Sequence, residues 1–256
     1  MDVTSELTIV IPLRIDCPER KENLDTVLYS LLELTNSSII ILEADTEQKY
    51  FLSESNERIK YIFMKDNNVI FHRTRYINIL LKMAQTNIIG IWDTDVILDA
   101  KQIQQAASAV KKGTTLCYPY DGHFLFLDKE QSDNIREDIL SCLNNKDKIK
   151  APSMGRPSAG GAFIVNKECY LKAGGENENF YGWGPEDAER YKRMEILEEP
   201  IRRIEGALFH LHHPRGINST FGSDDRDKQN VRELIKICSM TKNNLLNYIN
   251  TWSWKQ

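Results

Sequence analysis

The sequence predicts an α/β fold with a mainly parallel central sheet flanked by helices and a C-terminal helix. Short β-branched runs alternate with segments of helical periodicity through residues 7–92. Strands that alternate with helices require right-handed crossovers, which favour a parallel sheet covered on both faces. The chain has 256 residues, 41% of them hydrophobic, and can bury a core of this kind. We find no internal repeat and no low-complexity linker. We therefore predict one domain, in which the second half departs from the regular alternation of strands and helices.

The first half supplies the regular alternation. Strands are predicted at the β-branched runs 7–12, 38–42, 59–64 and 88–92. Helices are predicted at 18–34 and 74–84, with a short helix at 47–53. In open sheets of this type ligands bind beyond the carboxyl ends of the strands, so the turns that follow the strands are where a site is expected.

The alternation is looser beyond residue 99. A helix at 100–111 is followed by strands at 115–118 and 123–127 and by a polar helix at 129–144. Strands at 202–204 and 208–212 precede a final amphipathic helix at 225–249. This half is expected to complete the sheet and the site.

Charge and composition exclude several classes of protein. A net charge of −4 with no run of five basic residues gives no field that attracts nucleic acid or an anionic membrane. The N-terminus lacks the features of a signal peptide, and no segment approaches the ~20 apolar residues of a membrane span. Five scattered cysteines indicate neither a disulfide framework nor a zinc site. We expect a cytoplasmic protein with reduced thiols.

Asp93 and Asp95 directly follow the predicted strand 88–92. Two carboxylates one residue apart repel each other and any phosphate unless a hard cation lies between them. The pattern predicts a magnesium or manganese ion that bridges to a diphosphate. The alternative is a strand-ending turn in which both aspartates bond to their own backbone.

Three of the five histidines lie within four residues, at His210, His212 and His213. Imidazole suits manganese or zinc in company with carboxylates. On a regular strand His210 and His212 would share one face and His213 would take the other, so the pattern does not decide which of them faces a metal. The alternatives are a single ligand with surface neighbours, or a zinc site unrelated to catalysis.

Basic side chains follow two of the predicted strands. Arg14 comes directly after the first strand, and Arg73 and Arg75 begin the helix at 74–84. Guanidinium groups in these places can fork onto phosphates or carboxylates. For Arg75 we prefer the alternative, a solvated helix residue.

The stretch FYGWGPED, Phe180 to Asp187, brings three aromatic rings, two glycines and two adjacent carboxylates to the start of a helix. The structural alternative is that Glu186 and Asp187 cap the start of a helix and compensate its dipole. This would stabilise the helix by about 1 kcal/mol and is compatible with a catalytic role.

Four segments together resemble glycosyltransferases of the GT-A fold, nearest to the β-1,4-galactosyltransferase type and to chondroitin polymerases and polypeptide N-acetylgalactosaminyltransferases. The resemblance runs from Thr8 to about Arg215. The family's P-F-R motif is matched by Pro12-Leu-Arg14, its F-N-R by Phe71-His-Arg73 and its D-x-D by Asp93-Thr-Asp95. The family's G-G and W-G-W-G-G-E-D motifs are similar to Gly160-Gly161 and to the segment from Phe180 to Asp187.

The resemblance implies a role for each matching residue. Donor-binding residues would be Pro12, Arg14, Phe71, Arg73, Asp93, Asp95, Gly161 and Trp183. Metal ligands would be Asp95, His213, His210 and Asp93. Trp183 would lie on a mobile loop that closes over the donor sugar and excludes water. Pro185 departs from the family, where a second glycine stands.

The resemblance also implies the reaction. Glu186 and Asp187 would face the acceptor, with Asp187 as the general base of an inverting transfer. Retaining relatives tend to carry asparagine at this place, so aspartate favours inversion. The expected cofactor is Mn²⁺ or Mg²⁺, the donor a UDP-sugar, and the acceptor a glycan or glycolipid. The expected domain has a nucleotide-binding half (1–99), an acceptor and metal half (100–223) and a C-terminal helix (224–256).

Three other functions remain open at this point. One is a retaining hexosaminyltransferase on the same fold, and another is a non-catalytic module that binds a nucleotide-sugar or glycan. A nucleotidyltransferase is less favoured because no Gly-rich basic loop follows the first strand. A lipid-linked acceptor would bring a cytoplasmic enzyme to the inner face of the membrane as a peripheral protein. The sequence makes no choice of oligomeric state.

Overall fold

A computed structural model describes residues 2–52, 55–155, 157–216, 218 and 223–255. Its strands are β1 (Leu7–Leu13), β2 (Ser38–Asp45), β3 (Ile59–Lys65), β4 (Ile88–Trp92), β5 (Val96–Ile97), β6 (Leu116–Tyr118), β7 (Phe124–Phe126), β8 (Ala162–Asn166), β9 (Ile201–Arg203) and β10 (Leu208–His210). Its α-helices are α1 (Pro18–Leu34), α2 (Arg73–Met83), α3 (Ala100–Lys111), α4 (Lys129–Glu137), α5 (Ile139–Asn144), α6 (Lys167–Lys172), α7 (Glu186–Ile196), α8 (Asp224–Cys238) and α9 (Lys242–Ile249).

Seven strands form the central sheet in the order β3-β2-β1-β4-β8-β6-β9. The neighbours from β3 to β4 are parallel, β8 is antiparallel to both β4 and β6, and β9 is parallel to β6. The predicted mainly parallel α/β sheet is therefore confirmed. One sheet takes strands from both halves of the chain, and β1 and β4 at its centre are buried along their whole length.

A second sheet of three strands, β5-β10-β7, lies beyond the carboxyl end of β4. Its pairing places His210 opposite Val96. The N–H of Leu211 donates to the carbonyl of Asp95 at 2.8 Å and extends this pairing by one step. The small sheet thus joins the aspartate motif to the histidine motif.

The short helix predicted at 47–53 is wrong. Residues 48–52 have no helical structure, and Ser53 lies outside the described residues. The carboxylate of Glu43, buried at the end of β2, accepts the backbone N–H groups of Lys49 (3.0 Å) and Tyr50 (3.1 Å). These amides have a side-chain acceptor, so the segment satisfies its donors without a helical turn.

Two helices predicted as continuous are each divided. The predicted helix 129–144 becomes α4 and α5, because Asp138 ends the first and its side chain accepts the N–H of Ser141 to begin the second. The predicted C-terminal helix becomes α8 and α9, with the Thr241 side chain capping the second through the N–H of Asn244. A short 3-10 turn at Ser253–Lys255 follows.

Within the described ranges, no helix combines the length and the apolar composition needed to cross a membrane.

Candidate active site

A cavity of about 230 Å³ lies at the carboxyl ends of β1, β2 and β3. This is the edge at which parallel sheets bind ligands. Polar side chains dominate its lining, which consists of Arg14, Ile15, Asp16, Asp45, Thr46, Lys49, Asn67, Asn68, Val69 and Asn218.

Arg14 forms a wall of this cavity with its guanidinium already bonded to protein. Its Nε donates to the carbonyl of Ala44 (2.7 Å), its Nη1 to the carbonyl of Asn68 (2.8 Å), and its Nη2 to Asp66 Oδ2 (2.7 Å). The side chain is 7% exposed and lies over the Phe71 ring, 5.2 Å from its centroid. Arg14 therefore joins the segments that follow β1, β2 and β3, and its predicted donor contact stays a prediction.

Pro12 and Phe71 lie beside this arginine. Pro12 is buried within β1 and aligned with Leu42 of β2. Phe71 is half-buried and stacks on Tyr76, with ring centroids 5.2 Å apart. Neither residue is part of the cavity lining given above, and their predicted roles remain untested.

Asp95, His210 and His213 form a group that could hold a metal ion. One ligand atom from each lies within 4.8 Å of the others. His213 Nε2 lies 3.1 Å from Asp95 Oδ2, and His210 Nε2 lies 3.7 Å from Asp95 Oδ1. β10 ends at His210, so the alternation of a regular strand does not continue to His213. The structure therefore brings together His210 and His213, the pair that the resemblance implied, and their metal binding stays a prediction.

The third histidine lies outside this group. The side chain of His212 is exposed, and its backbone N–H donates to the hydroxyl of Ser132 at 2.8 Å. The group therefore contains one carboxylate and two imidazoles, a donor set that suits manganese better than magnesium, which prefers oxygen.

The pKa values of the two imidazoles are shifted in opposite directions. His213 Nδ1 donates to the carbonyl of Pro214 at 2.8 Å, which leaves Nε2 as the atom that faces Asp95. The hydrogen bond to Asp95 raises the pKa of His213, so a metal ion bound at Nε2 would have to displace a proton. Burial lowers the pKa of His210, and the neighbouring Asp95 only partly offsets this. Burial raises the pKa of Asp95, but His210, the hydrogen bond from His213 and Arg20 outweigh it and hold that pKa well below its usual value.

Arg20 is a member of the site that the sequence reasoning missed. In the first turn of α1, its Nη1 lies 3.2 Å from Asp95 Oδ2 and its Nε lies 2.7 Å from Asp16 Oδ1. Asp16 also lines the cavity, so Arg20 connects the cavity to the candidate metal ligands. A basic residue in the helix that follows the first strand was the available signal.

Asp93 is separate from the metal group. Its Oδ1 lies 2.6 Å from Arg73 Nη2, and its N–H donates to the carbonyl of Gly161 at 2.8 Å. Burial raises the pKa of Asp93, which Arg73 only partly offsets. Among the described residues, the group of close ligand atoms does not include Asp93, so its predicted metal contact remains untested. Arg75 is exposed, as preferred above.

The two acids at the start of α7 have different surroundings. Asp187 Oδ1 lies 2.8 Å from Arg190 Nη1, and its side chain is 35% exposed. Its Oδ2 faces Gly160 so closely that a Cβ on that glycine would lie 2.6 Å away. Glu186 is buried, and its Oε2 has no hydrogen-bond partner among the described residues. Burial and the neighbouring Asp187 raise the pKa of Glu186 to about 8.

The two acids therefore suit different chemical tasks. Glu186, buried with a raised pKa, holds its proton at neutral pH and can donate a hydrogen bond. Asp187 is partly exposed and is bonded to Arg190 through Oδ1, so its role as a base stays a prediction.

The aromatic segment before α7 lies at the surface of the site. Trp183 is 41% exposed, and its carbonyl accepts a hydrogen bond from Asn230 Nδ2 at 3.4 Å. Gly182 has φ of +78°, a conformation that side chains other than glycine rarely adopt. Tyr181 packs edge-on against His72, with centroids 4.9 Å apart. The segment thus contacts both the start of α2 and α8.

Gly161 provides close packing between the two sheets. It has φ of +81°, and a Cβ there would lie 2.9 Å from Phe124 and 3.3 Å from Val96. A side chain would push the small sheet, and with it the metal group, away from β4. Its predicted donor contact remains a prediction.

Comparisons with known proteins agree with this architecture. A family model described as the N-terminal domain of galactosyltransferase matches residues 141–214, a stretch that contains Gly160-Gly161 and the Phe180 to Asp187 segment. A comparison with curated proteins gave no match.

Three solved structures illustrate the structural likeness. Glucosyl-3-phosphoglycerate synthase from Mycobacterium tuberculosis, in complex with Mn²⁺, UDP and phosphoglyceric acid, is 12% identical with a TM-score of 0.55, covering 93% of this chain and 82% of that one. GalNAc-T7 with UDP, GalNAc and Mn²⁺ is 13% identical with a TM-score of 0.59, covering 90% of this chain and 47% of that one. A mutant of Drosophila β1,4-galactosyltransferase 7 with manganese, UDP-Gal and xylobiose is 15% identical with a TM-score of 0.50, covering 81% and 71%. The chain has the GT-A fold.

Proposed function

We propose that this protein is a metal-dependent glycosyltransferase. It moves a hexose or N-acetylhexosamine from a UDP-sugar to a hydroxyl of a glycan or lipid-linked acceptor, with inversion at the anomeric carbon. The observation that carries the proposal is the meeting of Asp95, His210 and His213 within 4.8 Å. Arg20 and Asp16 connect this group to the cavity at the strand ends. The Mn²⁺ and UDP in complexes of proteins with the same fold support it.

Asp95 Oδ, His210 Nε2 and His213 Nε2 would hold the ion, and Mn²⁺ fits the mixed oxygen and nitrogen donors. When bound, the divalent ion neutralises charge on the diphosphate and lowers the cost of its departure. Arg73, paired with Asp93 at 2.6 Å, supplies a further positive charge between the metal group and α7. The uridine would occupy the cavity walled by Arg14.

Asp187 would act as the general base. The acceptor oxygen forms its bond to the anomeric carbon while the bond from that carbon to the phosphate oxygen breaks, and the electron pair leaves with UDP. The hydroxyl proton passes to Asp187 Oδ2, the oxygen that has no partner in Arg190 and that faces Gly160. Glu186, protonated by its surroundings, would donate a hydrogen bond to a sugar oxygen.

The exposed Trp183 would cover the donor sugar and exclude water, which would otherwise hydrolyse the bound UDP-sugar. Gly182 provides a backbone conformation at which this segment can pivot. Pro185 caps α7 and fixes the chain immediately before Glu186, so the pivot lies N-terminal to Pro185.

The decisive experiment is a screen of purified protein with Mn²⁺ against a panel of UDP-sugars, with release of UDP as the readout. We expect release with at least one sugar, its loss in chelator, and its recovery on addition of Mn²⁺. The anomeric configuration of the product then tests inversion against retention. Tight UDP binding in calorimetry with neither transfer nor hydrolysis would instead indicate a binding module.

We further propose that the reaction takes place in the cytoplasm, and that a lipid-linked acceptor brings the enzyme to the inner face of the membrane. Fractionation of cells that express the protein tests this. Recovery in the membrane fraction only when the acceptor lipid is made would support it, and recovery outside the cytoplasm would contradict it.

A further inference from the structure

A pair of fully buried charged residues lies directly behind Asp187. Arg190 is 0% exposed and Glu176 is 1% exposed. Arg190 Nε and Nη2 each lie 2.8 Å from one oxygen of Glu176, which is the bidentate geometry of a strong arginine–carboxylate pair. A third donor of the same guanidinium, Nη1, lies 2.8 Å from Asp187 Oδ1. Arg190 therefore donates one hydrogen bond to a carboxylate of the candidate active site.

Glu176 is itself fixed from several sides. Its N–H donates to Asn78 Oδ1 at 2.8 Å, its carbonyl accepts from Asn78 Nδ2 at 2.9 Å, and the hydroxyl of Tyr170 contacts its Oε1. Burial alone would raise the pKa of Glu176, but Arg190 and Tyr170 outweigh it and lower that pKa to about 2. The anchor is therefore a charged carboxylate that cannot turn.

The plane of the guanidinium is fixed as well. Arg190 Cζ lies 3.9 Å from the centroid of the Phe163 ring on β8. Because the guanidinium is planar, fixing two of its nitrogens on Glu176 fixes the direction of the third. One oxygen of Asp187 is thereby held, and the other is directed toward Gly160, where the absence of a side chain leaves room.

We propose that Arg190, held by Glu176, is a positioning residue for Asp187: it ties one oxygen of this carboxylate and leaves the other open toward the acceptor. This inference rests on the proposed function, in which Asp187 is the base. A base must be held within hydrogen-bond reach of the proton it accepts, and a misplacement of 1 Å can cost about 100-fold in rate.

The same helix contains a matched control. Arg193 is also 0% exposed, lies 2.8 Å from a buried carboxylate, Glu189, and donates to the carbonyls of Ala173 (2.6 Å) and Gly175 (2.7 Å). It differs from Arg190 in that its bonds all go to the protein interior. Loss of either guanidinium should therefore cost similar stability, and only one should disturb the site.

The test compares Arg190→Lys with Arg193→Lys in the full chain. Lysine keeps the charge but cannot span Glu176 and Asp187 together. We expect both variants to lose a similar part of the melting temperature. We expect kcat to fall about 100-fold in Arg190→Lys, with the KM for the UDP-sugar within about threefold of wild type, and kcat to be retained in Arg193→Lys. Equal loss of kcat in both variants, or full kcat in Arg190→Lys, would overturn the proposal.

Asp187→Asn in the same assay separates the two claims. If it transfers sugar at the wild-type rate, the base assignment of the proposed function fails. If it is inactive while Arg190→Lys is fully active, the positioning role alone fails. Crystal structures of both lysine variants give a readout without turnover: the Asp187 carboxylate should shift only in Arg190→Lys, and an unmoved carboxylate would contradict the proposal.

Glu176→Gln provides a second route if Arg190→Lys does not fold. The amide keeps one acceptor for Arg190 and removes the negative charge, so the guanidinium is expected to turn onto both oxygens of Asp187. Occupation of Oδ2 should lower kcat and leave donor binding in place. Wild-type kcat in a folded Glu176→Gln would count against a role for the pair.

Discussion

His213 Nε2 lies 3.1 Å from Asp95 Oδ2, although one residue follows β10 and the other follows β4. The contact exists because β5 and β10 pair directly beyond the central sheet. Two motifs remote in sequence thereby become the two ends of one candidate metal site.

This contact predicts which histidines matter. Asp95→Ala and His213→Ala should weaken Mn²⁺-dependent UDP binding by more than about 100-fold, since each removes a direct ligand. His212→Ala is the matched control, because its exposed ring lies outside the group. Calorimetry of UDP with and without Mn²⁺ measures the effect. An equal loss of UDP affinity in His212→Ala would show that the histidines support the fold and do not bind the metal.

Asp187→Asn should separate binding from chemistry. The amide keeps the size of the side chain and its bond to Arg190, but it cannot accept a proton. We expect kcat to fall by about 10²- to 10⁴-fold with UDP affinity unchanged. Asp224→Asn, a change to an exposed acid in the first turn of α8, should keep full activity. Transfer at the wild-type rate in Asp187→Asn would refute the assignment of the base.

Gly160→Ala should block the base without removing it. The new Cβ would lie 2.6 Å from Asp187 Oδ2, so the carboxylate must move away from its position. Gly155→Ala is the control, since a Cβ there meets no atom of the described residues within 4 Å. We expect kcat to fall by at least about tenfold only in Gly160→Ala, with melting temperature measured for both. Full activity in a folded Gly160→Ala would place the reaction elsewhere.

Glu186 should give a pH dependence of stability. Burial and Asp187 raise the pKa of Glu186 from its usual 4.5 to about 8, so the folded state holds a proton that the unfolded state releases. Stability is therefore lost as pH rises from about 5 to 8. Glu186→Gln lacks this titration and should gain over wild type, on the order of a few kcal/mol, across that range.

Urea unfolding between pH 5 and 8.5 in the presence of chelator measures this difference. Glu195→Gln, which alters an exposed acid of the same helix, should follow the wild-type curve. A difference between Glu186→Gln and wild type that does not change with pH would mean that Glu186 is charged in the folded state.

The fold and the members of the candidate metal group could be predicted because their signals are local. Hydrophobic periodicity indicated the strands, and residue type near strand ends indicated Asp95 and the histidines. The resemblance implied His213, whereas strand alternation alone did not choose between His212 and His213, since the choice depends on β10 ending at His210. The wrong prediction of a helix at 47–53 has a similar cause. The Glu43 side chain, which lies outside that segment, accepts the N–H groups of Lys49 and Tyr50.

The bonds around the catalytic candidates escaped prediction for another reason. Arg20 and Arg190 look like ordinary helix arginines in sequence, and only side-chain direction brings them to Asp95 and Asp187. Glu176 is equally ordinary until Asn78 and Tyr170 fix it. Such pairings join elements that are distant in the chain, and no spacing rule encodes them.

Trp183 and Asp187 are four positions apart and belong to mechanically different parts of the molecule. Asp187 is bonded through Arg190 to the interior, whereas Trp183 is 41% exposed on a glycine-flanked segment. In the proposed reaction, substitutions around the tryptophan are therefore expected to change which sugar is bound while Asp187 keeps its place. We therefore expect related chains to differ in sugar specificity through this segment while the residues around Asp187 stay the same.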